Sequence, residues 1–165
     1  MPPDQLLKLL QLGSPALPVG AYSYSEGLET LQAQGQLVNA EDLRSWLTLE
    51  LRYGSIPMEA GILVLAYRSV QTQDLATLRH WNEWWSALRE TEELRQQSHQ
   101  MGRSLCRLGL SLAPDVAPYF QACGEFCNFV IAFATIAAHW QLPLEATVTV
   151  YLQSWLCNLI TAGVR

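Results

Sequence analysis

Ala146 to Val164, ATVTVYLQSWLCNLITAGV, is a run of nineteen residues without a formal charge, and three structures compete for it. TVTVYL, Thr147 to Leu152, alternates as a strand does, and the uncharged length would cross a bilayer as a helix. Leu144, Val148, Tyr151, Trp155 and Leu159, however, keep helical spacing over a longer window. Gln153, Ser154, Asn158 and three threonines, Thr161 among them, dilute the apolar character that a membrane span requires. A helix surrounded by other helices is uncharged for a different reason, since every face of it meets a neighbour. The expectation is a buried central helix, with Pro143 in a favoured first-turn position.

Working outward, the same period recurs along the chain. Leu6, Leu7, Leu9 and Leu10 set an apolar face for a first helix from about Asp4 to Leu12. After a proline- and glycine-broken stretch, SEGLETLQAQ resumes helical character, with Ser23 or Ser25 as its cap. Asn39 precedes AEDLRSWLTLELR, in which Glu41 and Asp42 sit at the positive end of the helix dipole; it is the cleanest helix start in the sequence. Gly54 and Pro57 separate that helix from MEAGILVLAYRSV, and Asp74 opens another with Leu75, Leu78, Trp81, Trp85 and Leu88 on one stripe. Thr91 to Leu112 forms a long helix with Leu94, Met101, Leu105, Leu108 and Leu112 inward and a strongly polar first half. Pro114, Asp115, Pro118 and Gly124 mark a connection before a helix near Cys127 to Trp140. No repeat appears, and no run offers a partner strand for a sheet. The expected fold is all-α, a single-domain compact helical bundle of about seven to ten helices over residues 1–165.

Composition narrows the function classes. The 165 residues are half apolar, enough for a substantial core. Fifteen acidic against ten basic residues give a net charge of −5, with Lys8 the only lysine, so no basic face suggests nucleic-acid binding. Four cysteines in apolar, helix-like surroundings, and an amino terminus without the basic-then-apolar pattern of a secretory signal, fit a reduced cytoplasmic setting.

Motifs for chemistry are sparse. Cys123 and Cys127, at i and i+4, could share a helix face with His139 nearby and so offer soft ligands to nickel or zinc; beside Phe126 and Phe129 they also suit a core. His80, His99 and His139 form no metal-ligand spacing, no GxSxG elbow is present, and no GxxxxGK[ST] loop is present for nucleotide hydrolysis. The expectation is a protein without catalytic residues, resident cofactor or metal. Arg95, His99 and Arg103 recur every fourth residue on the long helix, with Gly102 beside them removing a side chain where another backbone could approach. That stripe suits an acidic partner, or a solvated face with Gly102 admitting a helix of the same domain.

Three ordered stretches together resemble the UreF family of urease accessory proteins. LLQLGSPALPVGAYSYSEGLE from Leu9 is similar to that family's amino-terminal signature, ETEELRQQSHQMGRSL from Glu90 to its middle motif, and AFATIAAHWQLPLEATVTVYLQSWLCNLITAGVR to its late paired helices. The resemblance implies an all-α, non-enzymatic nickel-insertion chaperone that dimerises, joins UreD (UreH in some organisms) and recruits the GTPase UreG to apo-urease. By position, the expected partner contacts are Ser14, Pro15, Pro18, Gly20, Tyr22, Ser23, Tyr24, Ser25 and Glu29 in the signature loop, which also includes Gly27, and Gly102 and Arg103 in the middle motif. Trp155, Asn158 and Arg165 match the late helix, where Trp155 and Asn158 are expected to organise the core. Two other roles stay open: a direct nickel carrier using Cys123, Cys127 and a histidine, and a regulator of GTP hydrolysis that inserts Arg103. Family members generally continue past the position of Arg165 into a tail that contributes to assembly with UreD, so this chain is expected to fold but to join UreD poorly.

Overall fold

In the computed structural model, which describes residues 1–20 and 27–163, the chain is all-α among the described residues. The helices are α1 (Pro3–Leu12), α2 (Leu28–Ala33), α3 (Ala40–Tyr53), α4 (Ile56–Gln71), α5 (Leu75–Leu88), α6 (Glu92–Leu112), α7 (Ala117–Ala122), α8 (Phe129–His139) and α9 (Leu144–Gly163). A 3-10 turn at Pro114–Val116 leads into α7.

Local chemistry sets most of the helix starts. The side chain of Asn39 accepts from the backbone N–H groups of Glu41 and Asp42, and Asp42 answers by accepting from the Asn39 N–H, a reciprocal capping box at α3. Asp74 caps α5 by accepting from Thr77 N at 2.9 Å, and Thr91 caps α6 by accepting from Leu94 N at 3.2 Å. At α2 the cap is not a serine. Gly27 holds that position at φ +90°, a left-handed conformation natural to glycine; Ser23 and Ser25 lie outside the described residues.

The centre of the molecule is α8 rather than the uncharged α9. Every residue from Val130 to Ala138 is buried, and α8 packs chiefly against α4 and α6. Its alanines, Ala132, Ala134, Ala137 and Ala138, let neighbouring helices approach, while Ile131, Phe133 and Ile136 fill the space between them. On α9 the fully buried residues are Thr147, Tyr151 and Leu159, a stripe rather than a whole surface. Thr147, Thr149 and Thr161 each donate a side-chain hydrogen bond to the carbonyl four residues earlier, so the β-branched TVTV run sits in a helix with its hydroxyls satisfied. Pro143 stands just before α9 and its carbonyl accepts the first helical hydrogen bond, from Thr147 N.

Other expectations need correction at their ends. Leu78 and Trp85 of α5 are buried, but Leu75 and Leu88, the first and last residues of α5, are exposed, as is Leu112 at the end of α6. The stretch read as a connection after Pro114 contains the 3-10 turn and α7, with Val116 and Phe120 in the core. A second, smaller cluster gathers Leu28, Leu47 and Leu159 at the far end of α9, and Trp155 packs against both clusters. No described helix is long and apolar enough to cross a membrane.

Candidate functional site

The sequence motifs meet around one cavity. Gly13 ends α1 against α9 so closely that a Cβ there would lie 2.1 Å from Val150 Cγ1, which explains the glycine. The chain then turns: Ser14 Oγ accepts from Ala16 N at 3.2 Å, and Leu17 N donates to the Ser14 carbonyl at 3.0 Å. Val19 is drawn into the core, Pro15 and Pro18 are exposed, and Gly20 adopts φ +80°. Ser14, Pro15, Leu17 and Val19 form one wall of a cavity of about 80 Å³. Gln97, Ser98 and Met101 of α6 and Tyr151, Ser154, Trp155 and Asn158 of α9 line the rest, with Phe129 of α8. Tyr22, Ser23, Tyr24, Ser25 and Arg165 lie outside the described residues.

Glu59 of α4 and Arg89, which follows α5, also face this cavity. Their side chains are 12 % and 8 % exposed, with Arg89 Nη1 3.8 Å from Glu59 Oε2. Tyr151 donates its hydroxyl to Glu59 Oε1 at 2.9 Å. Burial pushes the Glu59 carboxyl up from its ordinary value, while the charge of Arg89 and the Tyr151 hydrogen bond oppose that rise. Arg89 stacks over the Trp85 ring at 5.1 Å, yet its Nε is buried without a hydrogen-bond partner. Nothing in residue type or local spacing marks Arg89 as buried. Glu59 does carry a signal, being the single acidic residue in the apolar segment from Met58 to Val70.

Next to the cavity a polar network ties the middle motif to the start of α8. The backbone N–H of Asn128 donates to Asn82 Oδ1 at 2.9 Å, and its Nδ2 donates to Ser86 Oγ at 2.7 Å. Ser98 Oγ donates to Asn128 Oδ1 at 2.9 Å, and Asn82 Nδ2 donates to the carbonyl of Phe126 at 2.7 Å. Asn82, Ser98 and Asn128 are all buried, so each replaces hydration that folding removed. Gly102 is part of this joint. A Cβ there would stand 1.9 Å from the carbonyl oxygen of Cys127, so the glycine admits a backbone segment of the same chain.

Arg103 points the other way and is exposed, its guanidinium 6.0 Å from the Phe126 ring. His99 stacks on the same ring at 4.9 Å and hydrogen-bonds Ser86 Oγ through Nε2 at 3.0 Å. Arg95 pairs instead with Glu92 on its own helix. The stripe of Arg95, His99 and Arg103 is therefore real as a face, and Phe126, 39 % exposed, is the aromatic centre that the spacing alone did not reveal. Glu29 is separate: it is exposed on α2 and lines another depression with Leu43 and Ala162.

Cys123 and Cys127 are buried in the core, and Cys106 is half-buried. The neighbouring thiols of Cys106 and Cys123, with burial, push the Cys127 thiol well up, so it stays protonated. His139 ends α8. Among the described residues, no group of three or more His, Cys, Asp or Glu is arranged to hold a metal ion.

Comparison with known proteins adds an independent line. The UreF family model matches residues 37–165. A urease accessory protein UreF from a Nostoc species is 52% identical over 159 residues, covering 96% of this chain and 69% of that relative. The Microcystis aeruginosa UreF is 51% identical over 161 residues, covering 98% and 71% respectively. A bifunctional urease accessory protein UreEF from Bordetella bronchiseptica is 37% identical over 163 residues, 98% of this chain but 38% of that protein. These alignments extend ahead of residue 37 and take in the loop that walls the cavity.

Proposed function

The chain belongs to the UreF family of urease accessory proteins, and from that premise we propose that it serves urease maturation as a non-catalytic scaffold. In this reading it works as a cytoplasmic homodimer that joins UreD (UreH) and recruits the GTPase UreG to apo-urease for insertion of nickel. The observation that carries the reading is that parts of the signature loop, the middle motif and the late helix line one cavity, Ser14, Ser98 and Asn158 among them. The buried network of Asn82, Ser98 and Asn128 holds the core, while Pro15, Pro18 and Arg103 remain exposed. An arginine that faces solvent from a rigid frame suits recognition, since aromatic and arginine side chains dominate interface energies. The relative named as a bifunctional UreEF combines two accessory activities in one chain, which suits a protein that works beside others of the same set.

Co-purification with tagged UreD and UreG tests the role. The expected result is a complex retaining all three proteins, weakened by Tyr22→Ala with helical content unchanged. A chain that turns over a substrate by itself, or that joins neither partner, contradicts it. Arg103 also supports a second reading, because its guanidinium is exposed with Phe126 as its stacking partner and could reach a transition-state charge in the GTPase. Arg103→Ala separates the two: a complex that assembles but hydrolyses GTP more slowly favours the regulator, whereas lost assembly favours the scaffold.

A further inference from the structure

We propose that the Arg103 face docks an acidic helical segment of a partner protein, two of its carboxylates on Arg103 and Arg107 and an apolar side chain in the hollow beside Phe126. The inference rests on the scaffold reading for which protein supplies the segment, while the surface itself stands on charge and shape. The α6 stripe runs one turn beyond Arg103 to Arg107, and both are exposed. Arg95, nearer the start of α6, is paired with Glu92, whereas neither Arg103 nor Arg107 is in a salt bridge among the described residues. Residues four apart on a helix are neighbours, so the two guanidinium groups make one patch of like charge that a pair of carboxylates would relieve.

Next to that patch is a hollow of about 120 Å³ between α6 and the loop that joins α7 to α8. Cys106, Phe120 and Cys127 give it an apolar lining, with Arg103 on the α6 side and Glu125 and Phe126 on the loop side. Phe126 is an exposed aromatic on a fixed loop. Buried Asn82 donates from Nδ2 to the carbonyls of Phe126 at 2.7 Å and Cys123 at 3.2 Å, and its Oδ1 accepts from Asn128 N at 2.9 Å. His99 stacks on the Phe126 ring from α6. A side chain held in this way loses little freedom on binding, so its apolar surface is offered at low entropic cost.

Charge decides the occupant. The net charge of −5 opposes the approach of a long polyanion such as nucleic acid, while a short segment with two carboxylates feels chiefly the nearby arginines. Glu125 on the loop side of the hollow turns carboxylates away from itself and toward α6, where Arg103 and Arg107 lie. The partner's helical spacing follows from the spacing here: carboxylates four residues apart match arginines four residues apart. An apolar side chain one turn further along then reaches the hollow, and arginine and aromatic residues around a pocket are the usual anchors of an interface.

The test is fluorescence anisotropy of a labelled, alanine-based helical peptide titrated with the full 165-residue chain. The peptide carries two glutamates four residues apart and a leucine one turn further on the same face. Saturable binding is expected, weakening as salt is added. The same peptide with glutamine at both glutamate positions should bind about tenfold more weakly, and Arg103→Gln and Arg107→Gln should each cost about threefold, the scale of an exposed ion pair. Phe126→Ala should cost about tenfold, with circular dichroism confirming its fold. Arg52→Gln, at an exposed position of α3, changes the net charge equally and should leave binding unchanged. No saturable binding, equal binding of the glutamine peptide, tighter binding of a single-stranded oligonucleotide, or an equal loss in Arg52→Gln overturns the proposal. Retention of UreG on UreD without peptide binding sinks this inference alone, and peptide binding without that retention sinks the scaffold reading alone.

Discussion

At the scale of single residues, Gly102 and His99 make opposite kinds of prediction. A methyl group at Gly102 meets the Cys127 carbonyl at 1.9 Å, and backbone atoms held by the Asn82 and Asn128 hydrogen bonds cannot move aside cheaply. Gly102→Ala should therefore destabilise by about 1–3 kcal/mol, as overpacking does. Gly61, within α4, has nothing within 4 Å of its virtual Cβ, so Gly61→Ala should instead stabilise by about 0.5–1 kcal/mol. Denaturant unfolding of the two variants decides it; equal effects would refute the role given to Gly102. His99 is held below its ordinary pKa of 6.5 by burial first and then by Arg95, with Arg103 adding to the effect and Glu92 opposing it. The folded protein thus binds this proton less readily than the unfolded chain, so the contribution is fully present above pH 6.5 and is lost as pH falls through the folded value. His99→Gln should flatten the loss of stability between neutral and mildly acidic pH, and an unchanged slope would contradict the assignment.

At the scale of elements, α3 rests on a cap that a short stretch of sequence encodes completely. Asn39→Ala removes the acceptor for Glu41 and Asp42 and should cost about 1 kcal/mol, read as a lower unfolding midpoint. An unchanged midpoint would show that packing of Leu47 alone holds α3. That cap was legible because its partners lie within three residues, and the same holds for Asp74 and Thr91. The centrality of α8 was not legible. FVIAFATIAAH and the uncharged α9 are both apolar enough to be central, and only the placement of α4 and α6 around α8 decides between them. α7 was hidden by Pro118, which reads as a break but occupies its first turn, where no backbone donor is missed. The signature loop could be recognised from its residues, whereas Glu59, Arg89 and Tyr151 could not be grouped, because 92 positions separate Glu59 from Tyr151. Asn82 and Asn128 escaped for the same reason: a lone asparagine carries no local sign of a buried partner 46 positions away.

At the scale of the whole molecule, the core that α8 organises gives the signature loop and the Arg103 face a fixed frame, with Glu59, Arg89 and Tyr151 buried behind the loop. A frame of this kind suits a protein that holds other proteins in register, because binding then spends little free energy on ordering the surface. Arg103 is the sharpest probe of that role, being exposed and stacked near Phe126 rather than built into the core. Arg103→Glu should leave the fold intact and reverse the charge at the proposed docking face. The decisive measurement is therefore the amount of UreG retained on tagged UreD in the presence of the wild-type chain and of Arg103→Glu, with circular dichroism matched between them. The account predicts retention with the wild type and its loss, by about tenfold or more, with Arg103→Glu, as expected for a central arginine at an interface. Equal retention by the two chains would contradict it.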